Sequence, residues 1–398
     1  MLIKRDLTLK IKEYLEKEEI LLIVGPRQAG KTTIMKDIEQ GIKGNSHFLN
    51  LEDPDYLSLL NSSPKKIFTI FPFDLTKKIF LFIDEIQYLD NPSNFLKYFF
   101  DEYRGKIKII ASGSSAFYLD KKFKDSLAGR KIIFNLLPLS FKEFVKFKNI
   151  IDPAKADLTN LTVSENDKLL PAYLEYLTYG GYPKVVLAPL AEKIEILRDL
   201  AYSYIKKDVF EAGLRQEESF YKLLKLLAEQ IGNLINSSEL ANTLGISKTA
   251  VDNYLAIMRK SFHIALTKPF HKNIRKELTK MPKAYFIDSG LRNFFKNDFR
   301  PLLERDDKGQ LLENAVFRQL ADNYDIGEIR FWRTIDQKEV DFVINGQLAL
   351  EVKWQLKNLP INSYQFFVKS YPGMNFKIAT LDNQSDGSDF SIIKPWEV

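Results

Sequence analysis

The chain has 398 residues, a length that suggests roughly two to four domains. Its hydrophobic content of 45% is typical of a folded protein, and no apolar run approaches the roughly 18 residues needed to span a bilayer. The absence of cysteine excludes disulfides, thiolate zinc sites and cysteine nucleophiles. With three histidines, any metal is expected to be Mg²⁺ or Mn²⁺ held by carboxylates and phosphates.

The net charge of +6 is modest for this length, but it favours an acidic partner such as nucleic acid. The first residues of the sequence lack the apolar core of a signal peptide. We therefore expect a cytoplasmic protein with no membrane partner.

A phosphate-binding loop follows the apolar run at residues 20–24. The next nine residues match the pattern G-x-x-x-x-G-K-[ST] at every fixed position. In this motif glycines let backbone amides surround the phosphates, the lysine reaches the β and γ oxygens, and the hydroxyl binds Mg²⁺. The residues expected to bind ATP are Gly25, Pro26, Arg27, Gln28, Ala29, Gly30, Lys31, Thr32 and Thr33.

Five short apolar runs alternate with helical stretches, a pattern that predicts an α/β fold with a parallel sheet covered on both faces. The runs are residues 20–24, 48–51, 79–83, 107–111 and 131–136. Asp84 and Glu85 follow the third run, at the strand end where such sheets bind ligands. We expect Asp84 to hold Mg²⁺ and Glu85 to orient and deprotonate the attacking water.

Three further residues are candidates for the same reaction. Ser112 and Ser114 follow the fourth run, and either could sense the γ-phosphate, although a Ser/Gly turn is an equal alternative. Arg130 precedes the fifth run and could neutralise charge on its own or a neighbouring nucleotide. A surface salt bridge explains Arg130 equally well.

The chain resembles the P-loop ATPases of the AAA+ superfamily from archaea and bacteria that carry a nuclease-like C-terminal DUF4143 domain. The resemblance covers nearly the whole chain and is carried by residues 25–33, 50–54, 82–87, 113–115, 127–130, 138–141 and 180–183. It implies ATP hydrolysis. The last segment is similar to the Gly-x-Pro element of related signalling ATPases, which makes Tyr182 and Pro183 candidate adenine contacts. A rigid turn between helices is the alternative.

Helical periodicity from about residue 141 to 236 predicts a lid over the nucleotide. Residues 238–260 then predict a helix-turn-helix, with Ser238 and Ser247 as N-caps and Gly245 in the turn. Residues 264–276 are expected to form a wing. Because residues 237–288 hold nine Lys/Arg against four Asp/Glu, DNA is the expected partner, with a protein-docking module as the alternative. The expected DNA contacts are Lys248, Thr249, Asn253, Lys268, Lys272 and Arg275.

The C-terminal hundred residues predict a helix, three strands, a helix and further strands. A tight turn at Asn345-Gly346 brings Asp341 beside Glu351 and Lys353 of the next strand. This arrangement suits a metal nuclease and resembles the D-x(n)-E-x-K signature of restriction-endonuclease-like folds. The interpretation assigns Mg²⁺ or Mn²⁺ to Asp341, Glu351 and Glu313, and catalysis to Lys353. A solvated strand face is the alternative for so short a motif.

These patterns divide the chain into an AAA+ core (1–140), a helical lid (141–236), a winged helix-turn-helix (237–298) and a nuclease-like domain (299–398). They predict an ATPase that couples hydrolysis to DNA binding or remodelling. One alternative is a nucleotide-dependent signalling or defence switch whose nuclease-like domain only binds; another is an ATP-gated metal nuclease. The AAA+ resemblance is compatible with a homo-oligomer, but the sequence does not specify one.

Overall fold

A computed structural model describes residues 4–42, 44–113, 127–152, 158, 161–211, 213–214, 216–271, 281–357, 359–382 and 390–398. Ser114, Lys272 and Arg275 lie outside the described residues. The chain divides into two compact units, one of residues 1–138 and 260–262 and the other of residues 139–259 and 263–398. Within the described ranges, no helix is both long and apolar enough to cross a membrane.

The first unit contains a five-stranded parallel sheet. Its strands are β1 (Ile20–Val24), β2 (Ser46–Asn50), β3 (Ile79–Asp84), β4 (Ile107–Gly113) and β5 (Lys131–Asn135). They lie in the order β2-β3-β4-β1-β5, and every neighbouring pair is parallel. The predicted α/β fold with a parallel sheet is confirmed.

Two hydrophobic cores cover the two faces of this sheet. Alternate residues of β1 point to opposite faces, so Leu22 and Val24 pack in one core while Leu21 and Ile23 pack in the other. This is why β1 is apolar at every position rather than at every second one. The helices of this unit are α1 (Asp6–Lys12), α2 (Lys31–Gln40), α3 (Pro54–Ser62), α4 (Ile67–Ile70) and α5 (Pro92–Tyr103).

The second unit begins with helices, as the periodicity predicted. They are α6 (Phe141–Phe147), α7 (Val163–Tyr179), α8 (Pro183–Leu187), α9 (Lys193–Glu211), α10 (Glu217–Glu229), α11 (Ser237–Leu244), α12 (Lys248–Lys260), α13 (Ser289–Lys296), α14 (Lys308–Asn323) and α15 (Ile361–Ser370). Helix α7 begins at Val163, because Thr162 and Glu165 form a capping box there.

The predicted helix-turn-helix corresponds to α11 and α12. Gly245 ends α11 in the left-handed conformation, and the Ser247 hydroxyl accepts the Ala250 N–H at the start of α12. The prediction of Ser238 as an N-cap was wrong, since the Asn236 side chain accepts the N–H groups of Ser238 and Glu239. The buried residues of the two helices are Leu240, Ala241, Val251, Tyr254, Leu255, Ile257 and Met258.

A seven-stranded sheet completes the second unit. Its strands are β6 (Ile264–Pro269), β7 (Lys283–Phe286), β8 (Ile329–Arg333), β9 (Glu339–Ile344), β10 (Leu348–Lys353), β11 (Asn375–Thr380) and β12 (Ser391–Ile393). The order is β12-β11-β10-β9-β8-β6-β7. Strands β8, β9 and β10 are antiparallel as predicted, and Asn345 and Gly346 adopt the positive φ angles of a tight hairpin turn.

The sheet crosses the predicted domain boundary at residue 298. Strand β6, expected as part of a wing, pairs antiparallel with β7 and parallel with β8, where Lys268 lies opposite Arg330. The hairpin of β6 and β7 is therefore continuous with the C-terminal sheet. The domain boundaries, the winged helix and the restriction-endonuclease-like fold stay predictions.

Candidate functional site

The phosphate loop connects β1 to α2. The loop begins at Gly25 directly after β1, and α2 starts at Lys31 as predicted. Gly30 precedes the helix with a φ of 101°, a conformation that favours glycine. The Lys31 ammonium donates to the carbonyls of Gly25 (3.0 Å) and Pro26 (2.9 Å). The start of a helix beside a lysine is the kind of place where proteins bind anions.

Gly25 is required by packing as well as by phosphate chemistry. A Cβ atom at this position would lie 2.0 Å from the Leu136 carbonyl oxygen. The Leu136 N–H in turn donates to the Val24 carbonyl at 2.7 Å, which holds the two segments together. The first glycine of the motif therefore lets the loop leave the sheet against a neighbouring backbone.

Asp84 lies at the end of β3, facing the phosphate loop. The Thr32 hydroxyl donates to Asp84 Oδ2 at 2.6 Å, and the Ser112 hydroxyl donates to Asp84 Oδ1. Asp84 is 2% exposed, so its carboxylate is held by these neighbours rather than by bulk solvent. A threonine hydroxyl and a carboxylate beside a phosphate loop are oxygen ligands that suit Mg²⁺. Thr32 and Asp84 fit the expected metal.

Glu85 has an unusual backbone at the next position. Its φ of 58° lies in the left-handed region, which costs free energy for a residue with a side chain. The Glu85 N–H donates to the Ser112 hydroxyl at 3.0 Å, and the Gln87 amide donates to the Glu85 carboxylate. Ser112 therefore contacts both acidic residues, which places one of the two predicted sensor serines next to the expected chemistry.

Arg5 contacts the phosphate loop, although no motif in the sequence predicts this contact. Its guanidinium donates to the carbonyls of Ala29 at 2.7 Å and Leu137 at 2.8 Å, and the residue is 7% exposed. It thereby connects the phosphate loop to the segment after β5. Arginine suits this role because its planar group offers several donors in a fixed geometry.

We expect Arg5→Ala to weaken ATP binding about tenfold. The substitution leaves two buried carbonyls without their donor, at a cost of about 1–3 kcal/mol each, so the phosphate loop is held less firmly in its binding conformation. ATP affinity measured by calorimetry is the readout. Lys10→Ala, an exposed cation on α1, serves as the control. An Arg5→Ala affinity within twofold of the unmodified chain would contradict a loop-positioning role.

Arg130 lies at the wrong edge of the sheet to act on its own nucleotide. Its carbonyl accepts the Ile20 N–H at 2.9 Å, at the start of β1, whereas the phosphate loop follows the end of β1. The five residues of β1 separate the two edges by roughly 13 Å. Its side chain pairs with Asp101 at 3.0 Å. The prediction of a role within the chain is corrected to a surface ion pair, and a role toward a neighbouring subunit stays a prediction.

The glycines before Tyr182 serve close packing. Asp288 accepts the Gly181 N–H at 2.7 Å, and a Cβ at Gly180 would lie 2.3 Å from that carboxylate. Burial raises the pKa of Asp288 to about 6. Tyr182 is 1% exposed and Pro183 begins α8, so the ring has no open face for a base. These contacts favour the rigid-turn interpretation over an adenine contact by Tyr182.

The predicted DNA contacts that lie within the described residues are exposed. Lys248, Thr249 and Asn253 lie near the start of α12, and Lys268 lies on β6. Lys248 pairs with Asp252 at 2.9 Å one turn further along the helix. The charge count of residues 237–288 overstates the exposed charge, because Lys283 is 2% exposed and surrounded by carboxylates.

The structure brings the four predicted C-terminal residues into one region. Asp341 accepts the Val352 N–H at 2.8 Å, and its own N–H donates to Glu351 at 3.3 Å. Lys353 pairs with Glu351 at 2.5 Å. Glu313 and Asp341 both face Lys283, at 3.3 and 4.0 Å. Among the described residues, no three His, Asp or Glu side chains are placed to hold a metal ion.

The electrostatics of this region differ from those of an open metal site. Burial and the Asp341 charge raise the pKa of Glu313 to about 7 and that of Glu351 to about 8. Burial alone would lower the pKa of Lys283, but Glu313 and Asp341 outweigh it and hold that pKa above its usual range. The lysine therefore stays charged. As arranged, these residues do not fit Mg²⁺ or Mn²⁺.

Known families cover most of the chain. Residues 17–145 match the AAA domain family, residues 170–301 match the domain of unknown function DUF8612, and residues 308–389 match the domain of unknown function DUF4143. An uncharacterized protein of Methanocaldococcus jannaschii is 29% identical over 96% of this chain and 86% of its own length. One of Haemophilus influenzae is 27% identical over 83% of this chain and 80% of its own length.

Two solved structures are similar at lower identity. The Walker-type ATPase of Pyrococcus abyssi is 16% identical, with a TM-score of 0.47 over 74% of this chain and 96% of that one. The RuvB Holliday junction branch migration motor of Thermotoga maritima is 15% identical, with a TM-score of 0.34 over 70% of this chain and 95% of that one.

Proposed function

We propose that this chain, whose residues 17–145 match the AAA domain family and residues 308–389 match DUF4143, is a P-loop ATPase that couples ATP hydrolysis to DNA binding or remodelling. The phosphates bind the loop amides and Lys31. Thr32 and Asp84 would hold Mg²⁺, which would supply positive charge to neutralise the charge that develops during phosphoryl transfer. Glu85 orients the attacking water and accepts its proton, and Ser112 holds the backbone of Glu85.

The contact between Thr32 and Asp84 is the observation that carries the ATP site. Their oxygens lie 2.6 Å apart although 52 residues separate them in the sequence. This contact supports a metal site at the point where Asp84 ends β3 and Glu85 follows it. Such convergence supports hydrolysis rather than nucleotide binding alone, because phosphoryl transfer depends on positioning and charge compensation.

The DNA part of the proposal is supported by the helix-turn-helix of α11 and α12. In such motifs, side chains at the start of the second helix contact base edges, and Lys248, Thr249 and Asn253 are exposed there. Lys268 on β6 offers a further exposed cation for phosphate. The proposal therefore assigns base contacts to Thr249 and Asn253, and contacts with the DNA backbone to Lys248 and Lys268.

ATP hydrolysis measured across forked, branched and duplex DNA tests the coupling. We expect at least one of these structures to raise the rate severalfold, and Lys31→Ala to abolish hydrolysis with and without DNA. If no DNA structure changes the rate, the remodelling proposal fails. A slow rate indifferent to DNA would instead support a nucleotide-dependent switch.

A charge reversal on α12 tests the surface itself. Lys248→Glu is expected to weaken DNA binding for all sequences and to reduce the slope of log affinity against log salt by about one. Lys222→Glu is the matched control, since Lys222 also forms an exposed pair one turn away on its helix, with Glu218. Fluorescence anisotropy over a salt series provides both quantities. Equal effects of the two variants would reject α12 as the DNA surface.

A further inference from the structure

The C-terminal site contains the positively charged ammonium group of Lys283, a buried side chain of the protein itself. We define the acid–lysine cluster as Lys283, Glu313, Glu339, Asp341, Glu351 and Lys353. The carboxylates come from α14, β9 and β10, while Lys283 comes from β7, which the sequence assigned to another domain. The cluster therefore joins the hairpin beside the helix-turn-helix to the C-terminal strands of the same sheet.

Lys283 lies among three carboxylates. Its ammonium is 2.5 Å from Glu339 Oε1, 3.3 Å from Glu313 Oε1 and 4.0 Å from Asp341 Oδ1. The Lys283 side chain is 2% exposed, so these carboxylates rather than water compensate its charge. Glu313 and Asp341 are two of the three residues that the sequence assigned to a metal. The lysine occupies the space between them.

Other protein donors also bind carboxylate oxygens of this cluster. Glu313 Oε1 accepts the Tyr285 hydroxyl at 2.5 Å, and Glu351 Oε1 accepts the Tyr364 hydroxyl at 3.0 Å and pairs with Lys353. Asp341 Oδ2 accepts a backbone N–H. A divalent cation would have to displace these donors and approach a fixed ammonium, both of which oppose binding.

We infer that Lys283 is a built-in counter-ion that replaces the metal at this site, so the C-terminal domain binds no divalent cation there and performs no metal-dependent cleavage. The nuclease-like arrangement of Asp341, Glu351 and Lys353 then serves packing of the sheet. This inference is independent of the ATP and DNA proposals.

Mn²⁺ binding to the nucleotide-free full chain, followed by the electron paramagnetic resonance of free Mn²⁺, tests this inference. Asp84→Asn is present in every sample to remove the metal ligand of the ATP site. Further introducing Asp341→Asn is expected to change nothing, because the cluster holds no Mn²⁺. Lys283→Met keeps the side-chain length and removes the charge, so we expect Mn²⁺ affinity to rise at least tenfold and to fall again on adding Asp341→Asn.

Three results would overturn the inference. The first is Mn²⁺ binding with Lys283 present that Asp341→Asn removes. The second is Mn²⁺-dependent DNA cleavage that Asp341→Ala abolishes. The third is a Lys283→Met chain that folds, as judged by circular dichroism, but gains no Mn²⁺ affinity. If Lys283→Met does not fold, the comparison with and without Asp341→Asn in the presence of Lys283 decides alone.

Discussion

Replacing Glu85 with glutamine is expected to slow ATP hydrolysis by about two to four orders of magnitude while ATP still binds. Glutamine keeps the size of the side chain and its acceptor oxygen, but it cannot accept a proton from water. The neighbouring contacts support this separation. The Glu85 backbone is held by Ser112, and the loop that binds phosphate is held by Lys31 and Arg5.

Single-turnover hydrolysis and equilibrium ATP binding, measured on the same sample, separate the two effects. Glu102→Gln, an exposed acid on α5, is the control and should hydrolyse ATP at the unmodified rate. Lys31→Ala should instead lose binding as well as turnover. A Glu85→Gln rate within threefold of the unmodified chain would remove Glu85 from its proposed role and leave Asp84 as the only acid of the site.

The parts of the candidate ATP site could be predicted because each of them is a short local pattern in the sequence. Strands of a parallel sheet are buried on both faces, so β1 and β3 are visible as apolar runs, and ligands bind where such strands end. The same rule would have placed Arg130 correctly: it precedes its strand, so it lies at the edge opposite the phosphate loop.

The parts that could not be predicted depend on distant segments meeting. Arg5 reaches a carbonyl 132 residues away, and Asp288 reaches the Gly181 N–H across 107 residues. Lys283 pairs with Glu313 because β7 joins the C-terminal sheet through β6, and no periodicity in the sequence specifies that strand order. The one signal in the sequence is that Lys283 stands at the start of the apolar strand β7, but a count of charges treats it as surface charge.

The change Asp307→Ala is expected to reduce the free energy of unfolding by about 3–5 kcal/mol, because it leaves two buried guanidinium groups without their shared carboxylate. Arg292 NH1 lies 2.5 Å from Asp307 Oδ2, and Arg305 donates to both Asp307 oxygens at 2.8 Å. Both arginine side chains are 0% exposed. Asn293 accepts hydrogen bonds from both arginines and Asp298 pairs with Arg305, but among the described residues Asp307 is the carboxylate that pairs with both arginines.

The pH dependence of stability gives a second measurement of the same contact. Burial alone would raise the pKa of Asp307, but hydrogen bonds from Arg305 and the charge of Arg292 outweigh it and hold that pKa well below its usual range. The stabilisation is therefore complete above about pH 4, where an unfolded aspartate is ionised, and is lost as the pH falls toward the folded pKa. Asp307→Ala should remove this loss of stability at acid pH, measured by urea unfolding monitored by circular dichroism.

The exposed neighbour is the control: Asp306→Ala should change the free energy of unfolding by less than about 0.5 kcal/mol. If Asp306→Ala and Asp307→Ala reduced the free energy of unfolding equally, Arg292 and Arg305 would have to find other partners when Asp307 is removed.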